Sequence, residues 1–171
     1  MIQAAIFIIV PLCLAIAALT DLFTMTIPNR VSVILLLAFL LVGPASGMGL
    51  VDIGLHLAAG LLVFAIAFLL FSLNTMGGGD AKLLTASAVW FGLNQSLIDY
   101  MLLVAFCGGA LAVVILLLRR QQGVLAACGL QLPASFDADG KIPYGIAIAL
   151  GGFLAYPTSP LMLAALGASA G

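Results

Sequence analysis

The stretch Gly77-Gly78-Gly79-Asp80-Ala81-Lys82-Leu83-Leu84-Thr85-Ala86-Ser87-Ala88-Val89-Trp90-Phe91-Gly92-Leu93-Asn94-Gln95-Ser96 decides how this chain is threaded. Its apolar part, Leu83 to Leu93, falls short of the roughly 20 residues that a helix needs to cross the hydrocarbon core. Extended to Ala81 through Ser96, it is still a weak span. The other apolar segments are Ile2 to Thr20, Val31 to Leu50, Ile53 to Leu73, Leu97 to Leu118 and Ile142 to Leu163. Counting the short segment as a sixth span puts Arg30, Lys82, Arg119, Arg120 and Lys141 in loops on one side of the membrane. The loops on the other side then carry only Asp52 and Asp99. Without it, the last three cations would lie opposite Arg30 and the asymmetry would vanish. Because Lys and Arg concentrate in cytoplasmic loops, the expected fold is all-α and polytopic, with six transmembrane helices and both termini away from the cytoplasm.

Composition agrees. Of 171 residues 65% are hydrophobic and only 6% charged, against roughly 45–50% apolar content in ordinary soluble domains. A lipid bilayer is therefore the surroundings this chain is built for. The net charge of −1 leaves no basic surface for nucleic acid. Met1 to Leu19 is as hydrophobic as a signal peptide but lacks a basic start, and Asp21 and Ile27-Pro28-Asn29 follow where small residues for cleavage belong, so a retained helix is expected. The cysteines Cys13, Cys107 and Cys128 form no close pair. No cluster with metal-ligand spacing exists, and neither a metal nor another cofactor is expected.

All six acidic residues are aspartates, which narrows acid–base chemistry to a few positions. Asp52 and Asp99 fall on the far side, and Asp137 and Asp139 sit in a hydrophilic loop. Asp21 and Asp80 share both side and depth. Carboxylates at a membrane boundary are costly and mark function. Two that share a proton can hydrolyse a peptide, the ionised one acting as base toward water and the protonated one polarising the carbonyl. Asp21, near the negative end of the first helix, is expected to hold the proton, and Asp80, opening the fourth helix, to act as base. Gly77, Gly78 and Gly79 would bind substrate, because backbone without side chains admits another backbone closely or adopts positive φ. Structural readings stand beside these: Asp80 as a helix N-cap on a plain flexible loop, and Asp21 as an interfacial anchor.

These residues resemble the type IV prepilin peptidases, membrane aspartyl proteases of the GxGD class. The resemblance is carried by Asp21 with Ile27-Pro28-Asn29, by Gly77-Gly78-Gly79-Asp80 with Lys82-Leu83-Leu84, and by Lys141-Ile142-Pro143-Tyr144-Gly145 with Ala147-Ile148-Ala149. It runs from the first helix to the last and implies a single integral membrane peptidase domain over residues 1–171. It also implies Asp21 and Asp80 as catalytic residues, a prepilin or pseudopilin as substrate, and removal of its leader at the cytoplasmic face of the bacterial inner membrane. The short connection from Asp21 to Arg30 and the missing cysteine pairs leave no room for the zinc-binding domain that accompanies N-methylation in larger members. The chain thus looks like the compact peptidases of Flp/Tad pili, without methyltransferase activity. Neither the particular pilin nor the oligomeric state is specified.

The competing reading is a small proton- or ion-coupled transporter using Asp80 and Lys82 on a broken helix; a third is a non-catalytic component of a secretion machine. His56, near the far end of the third span, is expected to be packed rather than catalytic. Gly108-Gly109 and Gly151-Gly152 read as close helix packing. Arg119 and Arg120 end the fifth helix, and Gln121 to Leu132 reads as an interfacial amphipathic piece. Phe136 to Gly140 reads as a solvated turn. Pro157 and Pro160 predict a kink or early end of the last helix, with a frayed tail from Gly167.

Overall fold

The structure is a computed structural model and describes residues 2–121 and 142–169. The helices are α1 (Ile2–Thr24), α2 (Asn29–Ala45), α3 (Leu50–Ser72), α4 (Gly78–Ala88), α5 (Gln95–Arg120), α6 (Tyr144–Ala155), a 3-10 turn (Tyr156–Thr158) and α7 (Pro160–Ser169). Among the described residues there is no strand. A helix forms at each of the six apolar stretches. The lengths are less uniform than the sequence implies. α1, α3 and α5 are long and apolar enough to cross a membrane, and α6 with α7, bent by 42° at the break between them, has the length and composition for a fourth when the two are taken as one broken span. α2 is a shorter apolar helix of 17 residues. α4, with 11 residues, rises only roughly 16 Å, about half the hydrocarbon thickness.

Local chemistry sets these boundaries. α1 runs past Thr20 and stops where Met25 takes φ 52°, its N–H still bonded to the Asp21 carbonyl at 3.0 Å. Pro28 then stands at the N-cap of α2 with φ −62°, the value its ring enforces. α4 gives way after Ala88 to a tighter turn, Trp90 N–H bonding the Ser87 carbonyl and Phe91 N–H the Ala88 carbonyl, and Gly92 at φ +74° then turns the chain away, a conformation that residues with a side chain rarely take. The Asn94 side chain accepts the Ser96 N–H at 2.8 Å and so caps α5. Pro157 lies in the turn that bends the last segment, as the prolines predict. The tail differs from expectation, because α7 continues through Ser169 with Gly167 inside it.

α4 sits in the middle of the bundle. It packs against α2, α3 and α6, while α6 lies between α5 and α1. Leu83, Leu84, Ala86, Ser87 and Ala88 are all buried, so the short helix is enclosed by the longer ones. Large apolar side chains are exposed on α1, α3 and α5, among them Leu61, Phe106 and Leu116, a surface suited to lipid because the helical backbone satisfies its own hydrogen bonds there. The core is densest beyond the end of α4, where Phe39, Trp90, Phe91, Tyr100 and Tyr156 are buried together. Three of the four paired glycines mark tight approaches: Gly108 to Tyr144, Gly151 to Val104 and Gly152 to Leu14. Gly109 faces open space.

Candidate active site

At the opposite end of α4 the bundle opens into a cavity of about 640 Å³. Asp21 and Met25 of the α1 end, Leu70 and Phe71 of the α3 end, the following loop through Gly77, Asp80 of α4, and Ile142 with Tyr144 at the start of α6 line it. The two aspartates that the sequence singled out thus share one chamber.

Each carboxylate is held by a backbone donor, but of different origin. Asp21 is 5% exposed, and its Oδ2 accepts the Gly145 N–H at 2.7 Å. Gly145 is the second residue of α6, so its N–H is among those with no partner inside their own helix. The positive end of α6 is thereby directed at a carboxylate on α1, an arrangement that favours an anion. The sequence expectation that Asp21 holds the proton weighed only the end of α1, and this donor opposes it. Asp80 is the third residue of α4 and folds back to the N–H of Gly77, the N-cap, as an acidic residue does at that position of a capping box. Its Oδ1 is buried with no hydrogen-bond partner among the described residues. Capping therefore describes one oxygen of Asp80 and leaves the other unexplained.

The glycines divide. Gly77 lines the cavity, and a Cβ there would stand 2.7 Å from Asp80 Oδ2. Gly78 and Gly79 already belong to α4, one against Phe71 and the other against Ile27. None of the three has positive φ. Ile27 touches both sides of the site, because it also lies where a Cβ on Gly145 would go, 2.9 Å from its Cδ1. Lys82 turns outward, its Nζ donating to Asn29 Oδ1 at 3.0 Å. The Ile27-Pro28-Asn29 turn is thus fastened to α4, and Lys82 is directed to Asn29 instead of pairing with Asp80.

His56 lies elsewhere and is packed. Its Nδ1–H donates to the Val89 carbonyl at 2.7 Å, its ring stacks on Phe39, and Gly92 fits against the ring with no room for a Cβ. Among the described residues no three His, Cys or Asp side chains converge on a metal-sized site. Lys141, Asp137, Asp139, Cys128, the amphipathic piece to Leu132 and the turn at Phe136 to Gly140 fall outside the described residues. Sequence reasoning assigned no role to Gly145 or Tyr144 and none to the apolar wall of Leu70, Phe71 and Met76. For Gly145 a signal existed: Pro143 and Tyr144 before it mark a helix start, where free N–H groups lie.

The model of the type IV leader peptidase family matches residues 8–117, a range that includes Asp21, the Ile27-Pro28-Asn29 turn and Asp80. No curated protein and no solved structure matches the chain.

Proposed function

Since this chain belongs to the type IV leader peptidase family, and so is a peptidase of the prepilin-leader kind with membrane-crossing helices, we propose that it cleaves by aspartic chemistry using Asp21 and Asp80. The observation that carries this is the single cavity lined by both carboxylates. A water between them would lose a proton to the ionised aspartate as it attacks the scissile carbonyl, while the protonated aspartate donates a hydrogen bond to that carbonyl oxygen. Collapse of the tetrahedral adduct passes a proton to the departing amine, and the pair returns to its starting state with one proton held.

The cavity's shape supports a peptide substrate. Gly77 offers bare backbone beside Asp80, and Leu70, Phe71 and Met76 supply an apolar wall next to an exposed stretch of α3 carrying Phe64 and Phe68. A prepilin or pseudopilin, whose cleavage site adjoins a hydrophobic helix, suits that combination. We place the cavity at the cytoplasmic face of a bacterial inner membrane, with six passes and both termini outside, because Arg30, Lys82, Arg119 and Arg120 follow or flank the helix ends at that side. No methyl transfer accompanies cleavage.

The test is incubation of the purified, detergent-solubilised protein with a purified prepilin. Leader release by the wild type, and its loss by at least about 10³-fold in both Asp21→Asn and Asp80→Asn with unchanged melting, is the expected result. Cleavage that survives either substitution at near wild-type rate sinks the aspartic mechanism. A methyl group on the new pilin amino terminus, with this protein as sole processing enzyme, refutes the exclusion of methyl transfer.

A further inference from the structure

We propose that Gly145 is a positioning residue: its main-chain N–H, delivered by the start of α6, holds Asp21 as the ionised base and leaves the proton of the pair on Asp80. This rests on the aspartic reading above and adds a working part to it. The hydrogen bond is short, 2.7 Å, buried, and joins residues that only the folded bundle brings together. A donor that bonds a carboxylate more strongly when it is charged stabilises the charged form. Among the described residues Asp80 Oδ1 has no partner; a bare buried carboxylate oxygen is poorly placed to be an anion, whereas a hydroxyl there would be free to donate to a substrate carbonyl.

Steric fit supports the same role. A Cβ built on Gly145 would lie 2.9 Å from Asp21 Oδ2, 3.0 Å from Asp21 Cβ and 2.9 Å from Ile27 Cδ1. Any side chain would displace the carboxylate it should hold, so the position demands glycine for contact, independently of φ. The two donors also differ in what they depend on. Gly77 belongs to the same helix turn as Asp80, so that bond forms with α4 itself. The Gly145 bond requires α6 to be seated against α1. Among the described residues the titratable side chains that line the cavity with Asp21 are Asp80 from α4 and Tyr144 from α6, and Lys82 is directed to Asn29.

The cleanest experiment replaces Gly145 by glycolic acid, a backbone ester that deletes the N–H and adds no side chain. With purified prepilin, kcat is expected to fall roughly ten- to hundredfold, with KM within about twofold and melting unchanged. The acid limb of the pH–rate profile should move to higher pH, because the anion of Asp21 loses its donor. Gly145→Ala should lose at least as much, and adding Ile27→Ala should not restore it, since the contact with Asp21 remains. Three results overturn the inference: an ester variant with wild-type kcat and pH profile, a fall in kcat with the acid limb unmoved, or recovery of Gly145→Ala by Ile27→Ala. If these occur while Asp21→Asn and Asp80→Asn remain inactive, only this inference fails. If the wild type or either asparagine variant contradicts the aspartic reading, both fail.

Discussion

The two ends of α4 are finished in opposite ways. At and beyond its last turn most polar groups are buried in pairs, His56 with the Val89 carbonyl, Trp90 Nε1–H with the Leu35 carbonyl at 3.1 Å and Ser87 with Tyr100 at 2.7 Å, while Thr85 Oγ1 has no partner among the described residues. Aromatic rings close around them, Phe91 stacked on Tyr100 with centroids 4.2 Å apart. At its first turn the helix instead opens on a cavity, with an Asp80 oxygen that has no partner among the described residues. Satisfied buried networks rigidify a fold, and unsatisfied ones are costly unless something else uses them. The closed end gives α4 a fixed anchor, and on the proposed function the open end keeps hydrogen-bonding capacity for water and substrate. Substitutions at the closed end should therefore change stability, and those at the open end should change turnover.

Trp90→Ala is the strongest test at the closed end. The side chain is fully buried, packs edge-on against Phe39 and Tyr156 and satisfies the Leu35 carbonyl. Truncation should cost about 3–5 kcal/mol, read as a large drop in melting temperature in detergent, with any folded fraction retaining its turnover. A stable protein with impaired cleavage would break the division between the two ends.

Gly77→Ala is the counterpart at the open end. The added methyl would stand 2.7 Å from Asp80 Oδ2, while Gly77 itself is exposed and φ −69° suits alanine. Turnover should fall by about one to two powers of ten, the scale of misplacing a catalytic group by a fraction of an ångström, with melting within about 1 kcal/mol of wild type. Loss of folding instead of turnover would place Gly77 with the structural glycines.

How much of this was legible in the sequence follows the same line. Apolar run length located a helix at every expected stretch, because burial in lipid needs only composition and length. Asp21 and Asp80 stood out because so few charges compete with them, and their expected placement on one side of the membrane pairs the two residues that line one cavity. The early stop of α4 was less visible: the run through Trp90 and Phe91 stays apolar, while the backbone tightens there and turns away at Gly92. Nothing in a row of leucines and phenylalanines separates Leu70 and Phe71, which line the cavity, from Leu61, which lies on the exposed apolar surface. The expected proton assignment weighed a helix dipole from α1 alone, and the donor that bears on it from the other direction comes from Gly145, far along the chain.

His56→Leu sharpens the comparison at intermediate scale. Removing the imidazole leaves the Val89 carbonyl without its donor in a site where leucine can fill much of the volume beside Phe39. A destabilisation of about 1–3 kcal/mol is expected, with cleavage per folded molecule within about twofold of wild type. A turnover loss matching that of Asp80→Asn, at unchanged stability, would make this histidine part of the chemistry despite its place at the closed end.

The smallest effect is expected where the open end meets solvent. Lys82 and Asn29 are joined by one exposed hydrogen bond of 3.0 Å, and water competes for both partners, so the net contribution is about 0.5–1 kcal/mol. Lys82→Met and Asn29→Ala should each lower stability by that amount, and the double variant by little more, because both singles remove the same contact. Turnover should stay within a few-fold, since the turn at Ile27-Pro28-Asn29 is also held by the packing of Ile27 near Gly79 and Gly145. Lys82 was the partner that an ion-coupled mechanism would require of Asp80, which makes the size of this effect decisive for that reading. An inactive but fully stable Lys82→Met would draw the cation into the site, and the open end of α4 would then extend to the Asn29 side of the helix.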